Sequence, residues 1–233
     1  MAQKTLQGIM ITHLHRLTLA AALFASAAFL GNSASGSIIY DNSTTYLGKI
    51  HSAGNAEFGD EIFLAGTDRI LSEFQFQYFT TNNSGGVLSG NETAEVFFRL
   101  NDGPLNSQGV RTPGTLFYDS TPFPLANGFR PVSITGLALQ IPANSFTWSV
   151  AFRGIEANET AGLLFFNPPT VGSSFDDFWQ LTGTGWQTFV VDGGATPGNF
   201  AARLTAVPEP STYVYGLIAG VGYAGWFFRR RKA

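Results

Sequence analysis

The sequence predicts an all-β domain, a β-sandwich of jelly-roll type, set between an N-terminal signal peptide and a C-terminal single transmembrane helix. Three observations carry this. Short runs in which apolar and polar residues alternate fill the middle of the chain, clusters of Gly, Pro, Asn and Asp separate them, and the two longest apolar runs lie at the ends. The chain of 233 residues therefore divides into a signal peptide (1–36), an extracytoplasmic sandwich (37–206) and a C-terminal segment (207–233).

The N-terminal element begins with Lys4, His13, His15 and Arg16, continues through apolar residues 17–30 and ends in small residues 31–37. That order of basic start, apolar run and small-residue stretch is the pattern of a secretory signal peptide, with cleavage expected between Ala34 and Ser37. As a helix the apolar run rises about 21 Å, short of the roughly 30 Å of a bilayer core.

Two strands stand out in the middle. Phe74, Phe76 and Tyr78 alternate with Gln75 and Gln77, and Phe146, Trp148, Val150 and Phe152 alternate with Thr147, Ser149, Ala151 and Arg153, so each run puts its rings on one face. Shorter strands are expected over 38–40, 61–64, 95–100, 115–118, 131–139, 162–166, 187–191 and 200–206. Turn chemistry separates them, as in Asn82-Asn83-Ser84-Gly85-Gly86, Asn101-Asp102-Gly103-Pro104 and Asn167-Pro168-Pro169. No helical period is sustained between the ends, which favours a β-sandwich over an α/β fold with crossover helices.

Composition narrows the function. Charged residues are 12% of the chain, and the 37–206 segment holds seven basic and fifteen acidic side chains, a net charge of −8. A segment with one lysine and no basic cluster does not fit nucleic acid as a partner. The absence of cysteine rules out a cysteine nucleophile, a thiolate zinc site and lipidation at an N-terminal cysteine, and it leaves an exported domain to be held by its core. His51 is the single histidine after residue 36, it reads as a surface or turn residue in Lys49-Ile50-His51-Ser52-Ala53-Gly54, and GxSxG is missing, so a hydrolase triad is not expected.

Glycoside hydrolysis needs only two carboxylates, and the candidates are Glu57, Asp60, Glu61, Asp176 and Asp177. Asp176 and Asp177 lead into Trp179, with Trp186 close behind, a combination able to form a sugar platform edged by hydrogen-bonding acids. The alternative is a loop whose aromatics close one end of the sandwich. The same acids offer oxygens for Ca²⁺, but without an EF-hand or another spaced calcium motif, so no cofactor is expected.

The last element opens with Pro208, Glu209 and Pro210, continues as apolar residues 213–228 and ends in Arg229, Arg230, Arg231 and Lys232. The prolines break any regular element. The apolar stretch is a short membrane span with aromatics at both ends, and the basic tail belongs on the cytoplasmic side. Gly216 and Gly220 form a GxxxG that allows close helix packing. The order of proline-glutamate-proline motif, single helix and arginine cluster resembles the PEP-CTERM sorting signals of Gram-negative bacteria. The resemblance implies an exosortase-type membrane protease as partner, with Pro208, Glu209 and Pro210 as the recognised motif of its substrate, and an exopolysaccharide and biofilm setting. The middle segment is similar to the small exported β-domains that precede such signals, for which no activity is implied.

The expectation is thus a non-enzymatic surface or matrix protein, exported and anchored in membrane lipid through its C-terminal helix, transiently or stably, with release to the surface or matrix open. A carbohydrate-binding module contacting exopolysaccharide is the first alternative, and a polysaccharide hydrolase the second.

Overall fold

The computed structural model describes residues 36–209. The signal peptide up to Ser35, the C-terminal helix, Pro210, Gly216 and Gly220 lie outside the described residues. Within them the chain forms fourteen strands: β1 (Ser37–Asn42), β2 (Tyr46–His51), β3 (Glu57–Phe63), β4 (Ile70–Asn82), β5 (Thr93–Arg99), β6 (Leu116–Asp119), β7 (Phe123–Pro124), β8 (Gly128–Gln140), β9 (Ser145–Arg153), β10 (Glu159–Phe166), β11 (Ser173–Ser174), β12 (Phe178–Thr182), β13 (Gly185–Phe189) and β14 (Ala202–Val207). The described residues contain no α-helix, only a 3-10 turn at Asp192–Gly194.

These strands make two open antiparallel sheets. In the first, β4 is long enough to pair with β8 along one edge and with two strands in succession along the other, β14 over residues 70–76 and β10 over 78–82. Then β1 adds to β14 and β2 to β10. The second sheet runs β13-β12-β3-β9-β5-β6, with β11 beside β3 and β7 beside β5. The chain changes sheet at most of its loops from β2 onward, so neighbours in space are often far apart in sequence.

Alternation explains the core. The inward rings of β4 and β9 meet across the sandwich, Phe74 with Trp148 at 5.2 Å between ring centroids and 62°. Phe98 of β5 packs edge-on against Phe74 at 5.0 Å. Phe74, Phe98, Phe146 and Trp148 are fully buried, and burial of each contributes on the order of 2–3 kcal/mol. Pro131 lies in β8, at the edge of its sheet, where a missing N–H need not break a ladder.

Two expectations are corrected. Strand β2 is absent from the sequence-based set, and with it His51 is neither in a turn nor at the surface. His51 closes β2, half-buried, with its ring 4.4 Å from that of Phe178 and 4.7 Å from that of Phe58. Burial lowers its pKa, opposed by a 3.0 Å hydrogen bond between Nε2 and Gln180 Oε1. Strand β12 likewise takes Trp179 out of the end-closing loop that is the alternative to a sugar platform.

Candidate functional site

The outer face of the second sheet concentrates groups that an ordinary solvent face does not bury. Cross-strand register brings onto it Glu57, Gly59 and Glu61 from β3, Thr147 and Ser149 from β9, Phe97 and Arg99 from β5, Trp179 and Leu181 from β12, and Trp186 and Thr188 from β13. Glu57, Thr147, Ser149 and Trp179 are buried there. Gly59, cross-strand partner of Trp179, must be glycine, because an added Cβ would lie 1.9 Å from the Trp148 carbonyl oxygen.

These side chains form two connected groups. In one, Ser149 Oγ donates to Glu57 Oε1 at 2.6 Å, and Arg99 Nη2 pairs with the same oxygen at 3.4 Å. The Arg99 guanidinium also stands 5.2 Å from the Phe97 ring centroid and 5.9 Å from that of Trp186. In the other, Thr147 Oγ1 donates to Asn101 Oδ1 at 2.7 Å while Asn101 Nδ2 donates to Glu61 Oε1 at 2.6 Å. Burial raises the pKa of Glu61 and the Asp177 charge adds to it, against hydrogen bonds from Asn101 and Trp179. Burial also raises Asp177, with Asp176 contributing.

A hairpin covers this face. Residues 100–115 leave β5 and return to β6, closed by Gly114 N–H to Leu100 O at 2.7 Å, Gly103 N–H to Thr112 O at 3.0 Å and Asn106 N–H to Val110 O at 2.8 Å. Asp102 locks the base by accepting from both the backbone N–H and Oγ1 of Thr115, each at 2.7 Å. At the tip, Gln108 Oε1 accepts from Thr188 Oγ1 of β13. From β5 to β13 is four strand spacings, about 19 Å, so the hairpin arches across the sheet.

The predicted ligand residues separate. Trp179 is 2% exposed, so its ring is no platform, whereas Trp186 is half-buried on the same face. Asp177 is half-buried near Glu61, and Asp176 is exposed, with its carbonyl accepting from Gly198 N–H at 3.1 Å. Arg99, Asn101, Thr147 and Ser149 were not legible as site residues, since polar residues at every second strand position read as a plain solvent face. Glu57 and Glu61 stand four residues apart on an extended strand, about 13 Å between Cα atoms, and their carboxylates are engaged in separate hydrogen-bonded groups. Among the described residues no group of three or more His, Asp or Glu is arranged to hold a metal ion.

A buried ion pair gives little net stability, because desolvation offsets its attraction, although losing one partner is costly. The half-buried Glu61, Arg99, Asn101 and Trp186 offer the mixed donors, acceptors and flat apolar surface that suit a polyhydroxylated ligand.

The second functional feature is at the C-terminal end of β14. Pro208 and Glu209 follow Val207 directly and are exposed, and Glu209 Oε1 accepts from Gln140 Nε2 at 2.8 Å.

A comparison with curated proteins finds no match. Among solved structures, the chain is similar to a variant of the clostridial cysteine protease Cwp84 after propeptide cleavage, with TM-score 0.47, 9% identity, and coverage of 69% of this chain and 38% of that one. A second is the cysteine protease and lectin-like domains of Cwp84, a surface layer associated protein of Clostridium difficile, with TM-score 0.44, 10% identity, and coverage of 68% and 33%. The match is different in kind at the C-terminus. Residues 206–232 fit the family model of the PEP-CTERM protein-sorting motif, so this chain carries the signal by which exosortase substrates are sorted.

Proposed function

We propose that this chain is an exported cell-envelope protein, processed by an exosortase at its C-terminal signal, whose sandwich binds carbohydrate on the outer face of the second sheet. The sorting half rests on the family match over residues 206–232. Pro208, Glu209 and Pro210 are the recognised motif, and residues 213–228 hold the chain in membrane lipid before processing. Changing Pro208, Glu209 and Pro210 together to alanine leaves an unprocessed, membrane-bound chain in immunoblots of fractionated cells. Normal processing of that variant refutes the assignment.

The binding half is supported by the covered polar face, in which Arg99 is held between Glu57 and Trp186 and Asn101 is hydrogen-bonded to Glu61. An exopolysaccharide of the surface or matrix is the expected ligand class, without turnover. The crossing order of β2 to β10 between two sheets supports a jelly-roll reading of the sandwich. In polysaccharide pull-downs with the full chain, Trp186→Ala lowers binding about tenfold or more and leaves Tm nearly unchanged. Trp179→Ala, which empties a buried ring, destabilises by about 3–5 kcal/mol. Unchanged binding by Trp186→Ala removes the carbohydrate reading and leaves a purely structural surface protein.

A further inference from the structure

We infer that Gln140 is a positioning residue of the sorting reaction, holding the motif's glutamate against the sandwich until the processing enzyme takes it. The inference rests on the reading of Pro208, Glu209 and Pro210 as the recognised motif. Strands β14, β4 and β8 lie side by side at this end of the first sheet. Val207 pairs with Ile70, and Ile70 with Gln140, so the three form a row about 10 Å across. The chain leaves β14 at Val207, and Pro208, lacking an N–H, cannot extend the ladder. Two residues past Val207, Glu209 Oε1 meets Gln140 Nε2 at the far end of the row, 2.8 Å away. The motif therefore runs across the end of the sheet and not straight off it.

The cleft that receives it is lined by Arg69 and residues 140–144. Arg69 builds its wall and is engaged elsewhere: Nη1 donates to Asp68 O at 2.7 Å, and Nη2 donates to Gly66 O at 3.0 Å and to Asn144 Oδ1 at 2.8 Å. Gln140 Nε2 also reaches Ile141 O, at 3.4 Å, so a fixed guanidinium wall and one remaining amide N–H suit a single carboxylate oxygen. An enzyme that recognises Glu209 through its carboxylate competes with Gln140 for Oε1, and its apparent affinity falls with the fraction of chains in which the contact is closed. An exposed hydrogen bond from a neutral amide to this carboxylate holds that closed form by about two- to tenfold.

The test follows processing of the full-length chain by pulse-chase in membranes containing the exosortase. Gln140→Ala is processed about two- to tenfold faster. Gln140→Lys, which adds charge to the grip, is processed more slowly, and the Tm of both stays at the wild-type value. Opposite signs do not arise from a shared folding defect. Rates that are unchanged, or that move in one direction for both variants, overturn the inference, provided that Glu209→Gln accumulates unprocessed. Normal processing of Glu209→Gln defeats the sorting reading itself.

Discussion

Asp60 sits where the alternation of β3 calls for an apolar residue, directly across from Trp148 on the core face and 1% exposed. Ser174 Oγ donates to its Oδ2 at 2.8 Å, while Oδ1, the Tyr40 hydroxyl and Trp148 Nε1 have no partner among protein atoms. Burial raises the Asp60 pKa well above the ordinary carboxyl value, partly offset by Ser174 and reinforced by the Asp177 charge. Burial together with the Asp60 charge also raises Tyr40. A folded-state pKa above the unfolded one means that the contribution of Asp60 is complete below about pH 4 and is lost as pH rises through the folded value. Asp60→Asn, neutral at every pH, is expected to raise Tm at pH 8, by about 2–4 °C for each kcal/mol of charge penalty removed. Thermal melts from pH 4 to 8 show this gain shrinking toward pH 4, and a gain independent of pH contradicts it. This carboxyl also explains why β3 was legible only over 61–64: a charge at an inward position breaks the period by which a strand is recognised.

Legibility at the scale of elements followed the same rule. Strands β4 and β9 announced themselves because each holds an uninterrupted run with rings at nearly every inward position and mostly polar residues between them. Strand β2 did not, because Gly48 and Lys49 interrupt its alternation. In β12, Phe178 and Trp179 are consecutive yet both buried, one toward the core and one under the hairpin of residues 100–115. Consecutive buried residues have no period of two, and this hid both the strand and the fate of its tryptophan. The loops joining β4 to β5 and β9 to β10 are fastened by another pairing that spacing does not reveal. Glu92 and Glu159, both buried, take hydrogen bonds from Ser89 Oγ and Gly90 N–H and from Ser89 and Glu156 N–H. Burial pushes the Glu92 pKa up, but these donors and Glu159 outweigh it and bring it down to about 2. Because that value is depressed, what Glu92 adds to stability is present above the ordinary Glu range and disappears as pH falls toward 2.

For the whole molecule, the general plan was readable and the strand order was not. Alternating runs with turn chemistry between them specify a sandwich, whereas the route between sheets depends on long-range pairings that local sequence does not encode. The sorting motif was legible because it is linear, and the polar face was not because its members come from five strands and a hairpin. The pairing of Ser37 with Ala206 shows how the domain closes. Its first and last strands are one antiparallel hairpin cut open at the turn. A chain exported N-terminus first therefore holds β1 without its partner until β14 has crossed, so the sheet is sealed only as the motif comes through. The same adjacency allows a two-residue turn to join Ala206 to Ser37, and a circular permutant opened at Gly85-Gly86 should keep the wild-type circular dichroism spectrum and cooperative melt.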